Sequence, residues 1–268
     1  MQKLTQGEFY GTHYGKLVLD NCIITDTEYT HERVDWHYHE NPYFTYLLEG
    51  KLFESNKKES YYLDAGSLLF HNWQDAHYNI KPPQYTRGFH IELNANWFDN
   101  YGVSTANFEG SFAVQNPIVK SLMNNIFVES KTNDIYAKLS IETLILDIFD
   151  SMKETSSYKV NCPSWVSNLR EFIHEENCDF SLRSLSDILQ IHPTHLSRDF
   201  SRYFGTTLGN YVRLIKLNKA FSLLLTSKLS VTEVGYQCGF YDQSHFTKHF
   251  KQVYGFPPKQ LQRQISRR

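Results

Sequence analysis

At 268 residues, with 41% hydrophobic and 21% charged side chains and a net charge of −2, the chain suits one large or two ordinary globular domains. No apolar run approaches the roughly 20 residues of a membrane helix, and Met1–Lys16 lacks the apolar core of a signal peptide, so a cytoplasmic protein without membrane contact is expected. Cys22, Cys162, Cys178 and Cys238 stand far apart with no Cys-x-x-Cys pair, which argues against a zinc or disulfide framework and leaves them as small buried hydrophobes.

Charge is unevenly placed. Residues 163–268 carry 14 Lys+Arg against 8 Asp+Glu, whereas residues 1–162 carry 13 against 21. An acidic half joined to a basic one suits phosphate on the basic side.

From residue 17 to about 93 the pattern is β. Leu17–Leu19, Cys22–Ile24, Tyr43–Leu48, Ser60–Leu63, Ser67–Phe70 and Gly88–Leu93 are short strand-prone runs separated by turn signals such as Glu49-Gly50 and Asp64-Ala65-Gly66. Many short strands of this kind predict a sandwich or barrel. After Asn116-Pro117 the period changes to that of helices. Ile118, Val119, Leu122, Met123, Ile126 and Phe127 form one stripe, and Ile135, Leu139, Ile141, Leu144, Ile145, Ile148, Phe149 and Met152 form a second, with a break at Lys131–Asp134. Such helices either cover the barrel or form a homodimer interface. Glu154–Cys162 is polar and aperiodic and reads as a linker, which divides the chain into domains at 1–157 and 163–268.

The basic half holds two copies of one pattern. A first helix near Ser164 carries Val166, Leu169, Phe172 and Ile173 inward. Ser181 caps a short helix, and His192-Pro193 opens another with Leu196 and Phe200 inward and Thr194, His195, Ser197, Arg198, Ser201 and Arg202 outward, ending at Gly205. Ser230 then caps Val231–Cys238, Gly239-Phe240 turns, and Asp242 caps a helix whose outer residues include Gln243, Ser244, His245, Thr247, Lys248 and Lys251, stopped by Gly255 and Pro257-Pro258. Between the copies runs an apolar-striped helix, about 209–226. Short helix, tight turn and a helix with a polar, basic outer face is the helix-turn-helix pattern, and a rigid pair can reach successive major-groove segments roughly 34 Å apart. Polar side chains there suit base edges, and the flanking Lys and Arg suit phosphates.

At these residues the chain resembles the AraC/XylS family of transcription regulators. The similarity runs from about Trp165 to Gln262 and rests on Leu196–Phe200, Gly205, Tyr211, Lys216-Leu217, Ala220, Ser230–Val234, Gly239–Lys251 and Gly255–Pro258. It departs at Gly235, where the family favours alanine, at the His192 cap, and at Leu261-Gln262 in place of an aromatic-basic pair. The resemblance implies double-stranded DNA and RNA polymerase as partners and activation of transcription; the helices between Pro117 and Met152 suggest a homodimer, and no Ser/His/Asp grouping or phosphate-binding glycine loop marks a catalytic site.

In the acidic half, His37-Tyr38-His39 followed by Tyr43–Gly50 looks like the first motif of a cupin barrel, and His77 falls at the second motif's histidine. The fold expected is therefore α+β: a cupin-like β-barrel with flanking helices, then an all-α double helix-turn-helix domain. Family members use such a barrel for a small-molecule effector, and the candidates here are Trp36, His37, His39, Tyr46, Trp73 and His77, with Tyr38, Phe44, Tyr78 and Phe89 as further aromatic lining. No cofactor is implied. If a metal binds, His37, His39 and His77 are its ligands, but Tyr43 stands where the motif has glutamate. A metal-dependent cupin enzyme and a structural interaction module are the competing readings; the second leaves the doubled pattern unexplained.

Overall fold

The computed structural model describes residues 1–104, 108, 110–132, 134–157, 163–172 and 181–265. Eleven strands lie among them: β1 (Gln2–Leu4), β2 (Thr12–Val18), β3 (Cys22–Glu28), β4 (Arg33–His39), β5 (Tyr43–Glu49), β6 (Lys51–Asn56), β7 (Ser60–Asp64), β8 (Leu68–His71), β9 (His77–Ile80), β10 (Arg87–Leu93) and β11 (Phe112–Ala113). They form a five-stranded sheet in the order β1-β4-β9-β6-β7 and a six-stranded sheet in the order β11-β8-β5-β10-β3-β2. The pairing is antiparallel except for β1 with β4. The expected barrel is thus two hydrogen-bonded sheets rather than one closed ring.

Strands β3, β5, β8 and β10 of the six-stranded sheet are buried on both faces, and period-2 alternation divides their side chains between two environments. Ile24, Phe44, Tyr46, Phe70, Phe89 and Ile91 belong to a large apolar core that continues into the helices. Their neighbours in sequence, among them Tyr43, Thr45, His71, His90 and Glu92, are buried too but polar. Leu47 and Leu69 join Leu52, Tyr61 and Leu63 of β6 and β7 in a small apolar patch between the sheets.

Ten helices are described: α1 (Ala95–Tyr101), α2 (Pro117–Glu129), α3 (Ala137–Ser157), α4 (Ser164–Phe172), α5 (Leu182–Leu189), α6 (Pro193–Phe204), α7 (Leu208–Thr226), α8 (Val231–Gln237), α9 (Gln243–Tyr254) and α10 (Pro258–Ile265). Asn116 caps α2 and Pro117 takes its first position. Val119, Met123, Ile126 and Phe127 of α2 and Ile141, Ile145, Ile148, Phe149 and Met152 of α3 enter the sheet's core, so both stripes cover the sheet. Two residues assigned to the second stripe do not: Ile135 precedes α3, and Leu139 faces solvent, as does Tyr136. The linker expected at Glu154–Cys162 begins as the last turn of α3; residues 158–162, which include Cys162, lie outside the described residues, as do Ile173 and Cys178. Cys22 and Cys238 are free and buried, as expected of small hydrophobes.

The helices of the basic half divide between two cores. Val166, Leu169, Leu185, Leu196, Phe200, Phe204 and Tyr211 form a separate cluster around α4–α6 and the start of α7. Leu217, Phe221, Val234, Phe246, Phe250 and Leu261 instead join the core of the six-stranded sheet. A buried polar knot crosses this second junction. Tyr46 donates to Asn124 Oδ1 at 2.7 Å; the Asn124 amide donates to Asn218 Oδ1 at 3.1 Å; Tyr254 donates to the same oxygen at 2.9 Å. One strand, α2, α7 and α9 thus meet in one hydrogen-bonded group.

Candidate nucleic-acid interface and buried histidine cluster

Both units are closed by their own side chains. Ser181 Oγ accepts from the Ser184 amide at 3.2 Å to start α5, and Gln190 ends that helix in the left-handed region at φ 54°. His192 Nδ1 accepts from the Thr194 amide at 3.3 Å, so an imidazole replaces the usual hydroxyl cap ahead of Pro193. Leu196, Phe200 and Phe204 of α6 turn inward, which leaves Thr194, His195, Ser197, Arg198, Ser201 and Arg202 all exposed. Arg198 donates to Asp199 at 2.9 Å and lies 3.1 Å from His195 Nδ1, bonds that a nucleic-acid contact would have to exchange.

In the second unit Ser230 and Glu233 form a capping box: Ser230 Oγ accepts from the Glu233 amide at 3.3 Å, and Glu233 accepts from the Ser230 amide at 2.7 Å. Ser230→Ala is expected to cost about 1 kcal/mol, read as a lowered midpoint in urea unfolding; an unchanged midpoint would show that the box adds nothing. Asp242 accepts from the His245 amide at 2.7 Å and starts α9. Gln243, Ser244, His245, Lys248 and Lys251 are exposed, and Thr247 is half-buried. Gln243 accepts from Thr232 at 2.6 Å, and His245 Nε2 lies 3.0 Å from His249 Nε2.

Gly235 has a packing reason. A Cβ there would come within 3.2 Å of the Phe246 ring, so the alanine favoured elsewhere would press on the helix behind it. Lys216 of α7 donates to the carbonyl of the turn residue Gly239 at 2.9 Å, which ties the connecting helix to the second turn. Sequence reasoning missed α10. Pro257-Pro258 stops α9, but Pro258 also opens a new helix whose Leu261 is buried and whose Gln262 donates to Leu229 O at 2.7 Å. Lys259 and Arg263 of α10 border the same cleft as Gln243 and Thr247. Proline at a first helical turn was the available signal.

A family model described as a helix-turn-helix domain matches residues 185–264. Residues 185–264 therefore form a helix-turn-helix domain. The curated protein RhaS of Escherichia coli (strain SMS-3-5 / SECEC), an HTH-type transcriptional activator, is 26% identical over 151 residues, covering 53% of this chain and 52% of its own length. The chain therefore spans about half the length of the curated relatives it matches. Among solved structures, the C-terminal domain of the response regulator yesN from Fusobacterium nucleatum is 33% identical over 36% of this chain and 95% of its own, with a TM-score of 0.34. ToxT from Vibrio cholerae is 12% identical over 89% of this chain and 97% of its own, with a TM-score of 0.36.

Away from the helix-turn-helix domain, the space between the two sheets holds imidazoles. His37 and His39 stand two residues apart on β4 and so share a face; His37 pairs with His77 of β9 across the ladder. His37 and His77 approach the backbone oxygens of Asp35 and Asp75 through Nδ1, at 2.8 and 3.0 Å, which turns each Nε2 inward. One ligand atom from each of His37, His39 and His77 lies within 4.8 Å of the others; the same holds for Glu54, His71 and His77. Glu54 and His71 are residues that sequence reasoning did not single out. Burial, with some help from Asp75, pushes the Glu54 carboxyl up to about 8, and burial with the neighbouring His37 brings His77 down to about 3.

Beside the cluster is a cavity of about 30 Å³, lined by Phe9, Tyr10, His37, His39, Tyr43 and His90 among others. Phe9 stacks on His90 and His39, with ring centroids 3.8 and 4.7 Å apart. Of the expected effector residues, His37 and His39 line this cavity and His77 adjoins it. Tyr46, Phe44 and Phe89 point to the opposite face of their sheet, into the core shared with the helices. Trp36 packs on Tyr78 at the surface and Trp73 is exposed, so neither borders the cavity.

Proposed function

We propose that the protein is a sequence-specific regulator of transcription that binds double-stranded DNA through both helix-turn-helix units. The observation that carries this reading is the doubling. Two capped units, with Leu196 and Phe246 at matching positions 50 residues apart, present polar and basic outer faces and are joined by the single helix α7. A bundle that served only packing would have no reason to repeat that outer chemistry. Thr194, Ser197 and Arg198, then Gln243, Ser244, His245, Thr247 and Lys248, face bases; His195, Ser201, Arg202 and Lys251 flank them toward phosphate.

The relative named as an activator supports activation; RNA polymerase as partner and a cytoplasmic location complete the same proposal. No described helix is long and apolar enough to cross a membrane. Residues 1–157 serve as the effector-responsive unit and 163–268 as the DNA reader. Homodimerisation would use the exposed Ile135 and Tyr136 just before α3 and Leu139 in its first turn.

Titration against DNA upstream of the protein's own gene, with excess unrelated DNA as competitor, tests the reading. A complex that competitor cannot displace is expected, weakening with salt at a log–log slope of about 0.9 per neutralised phosphate. Failure to select any site from random sequence would end it. Arg198→Ala and Lys248→Ala should each weaken specific binding by about 1–3 kcal/mol; unchanged affinity and preference in both variants would remove these residues from the interface.

A further inference from the structure

We propose that the interior of the β half binds one divalent first-row transition-metal ion through Glu54, His71 and His77, and that this ion is the small ligand to which that half responds. The second clause rests on the regulator reading; the first does not. The three residues are at most 2% exposed and come from β6, β8 and β9 of both sheets. Their ligand atoms lie within 4.8 Å of one another. Metal–ligand bonds of about 2.0–2.2 Å place neighbouring donors about 3.4 Å apart in a tetrahedron, so small side-chain movements close the site.

His71 needs such an explanation. Neither ring nitrogen has a hydrogen-bond partner, and the nearest Glu54 oxygen is 3.5 Å from Nδ1, too far for a hydrogen bond. Two unpaired imidazole nitrogens in a buried position are costly, and a metal ion would take up the ring's lone pair. Glu54 has the converse problem. It is a buried carboxylate with no lysine or arginine in ion-pair range among the described residues. His77 already has the outer bond of a metal-ligating histidine, Nδ1 to the Asp75 carbonyl.

The alternative trio of His37, His39 and His77 brings no negative charge, whereas Glu54 supplies one that offsets part of the dication's. Two imidazoles and a carboxylate suit zinc, iron(II), cobalt(II) or nickel(II), rather than calcium or magnesium, which prefer oxygen alone. The cavity beside them, about 30 Å³, holds a water or an ion but not a sugar-sized molecule.

The test uses full-length protein stripped with a chelator, then titrated with Co²⁺ while visible absorption is followed, and melted with and without Zn²⁺. Expected are one Co²⁺ per chain with ligand-field bands, and a Zn²⁺-dependent rise in Tm. Glu54→Gln and His71→Leu should each weaken binding roughly tenfold or more and abolish the Tm rise, while His37→Ala retains both. Glu54→Gln keeps the side chain's shape and decides the matter if His71→Leu does not fold. Absence of stoichiometric binding in the wild type overturns the proposal. So does binding that survives Glu54→Gln and is lost in His37→Ala, which would place the ion on the other trio. DNA titration of the same stripped and loaded samples keeps the two readings apart. Site-specific DNA binding without any metal binding sinks this inference alone, and metal binding without a DNA site sinks only the regulator reading.

Discussion

Replacing Asp26 with alanine is expected to cost about 3–5 kcal/mol of stability, the cost of removing one partner from a buried ion pair. Asp26 is 2% exposed and takes a bidentate bond from Arg87, with both contacts at 2.6 Å, while Lys131, two residues past the end of α2, also donates to it. Without the carboxylate, Arg87 is left charged and buried. Burial alone would raise the Asp26 carboxyl, but the Arg87 guanidinium and Lys131 ammonium outweigh it and hold it at about 2.

The sign with pH follows. A carboxyl whose folded value lies below its unfolded value of about 3.9 stabilises the fold above that value. That contribution, about 2–3 kcal/mol, is lost as pH falls through about 2. Urea unfolding of the wild type and Asp26→Asn across pH 2–6 should show their stability gap narrowing on the acid side. A gap that stays constant would mean the charges contribute nothing.

A second large effect is expected at Phe200. Phe200→Ala removes a fully buried ring stacked on Phe204, at about 3–5 kcal/mol. The separate cluster around α4–α6 is small, so a loss of that size should unfold the first unit alone. Trp165 packs on Tyr203 in that unit while Trp36, Trp73 and Trp97 lie in the β half, so the fluorescence difference between a protein and its Trp165→Phe counterpart is a local reporter. The Trp165 signal should change at lower urea than the far-UV circular dichroism of the remainder, with specific DNA binding lost in step. Phe250→Ala, which opens the large core, should instead shift both signals together. One common transition for both variants would show that the two clusters behave as a single cooperative unit.

The helix-turn-helix half was legible because its signals are local. Ser181, His192, Ser230 and Asp242 each cap the helix they were read to cap, and Gly205 and Gly255 end theirs in the left-handed region. Spacing at 3.6 residues then sorted inner from outer faces of α6 and α9. The β half was only partly legible. β3, β5, β8 and β10 are buried on both faces and read as apolar runs. β4, β6 and β9 were missed because their inward residues, His37, His39, Glu54 and His77, are polar, so the usual alternation does not mark them. The same gap hid Glu54 and His71 as neighbours, since they meet only through strand order. Aromatic residues misled for a related reason. Tyr46 and Phe44 are on the right strand, but alternation turned Tyr46 toward the helices along with Phe44.

That alternation along β5 has a thermodynamic consequence. Tyr43 packs on His71 and shares a hydrogen bond with His77 at 3.1 Å, while Tyr46, three residues on, bonds to the knot containing Tyr254 of α9. The buried cluster and the second recognition helix are thus separated by the thickness of one strand. Binding free energies linked through a common element are reciprocal. Whatever factor a ligand in the β half applies to the grip on DNA, an operator must apply to the grip on that ligand, so occupancy of the protein's interior would depend on how much of its DNA target is present.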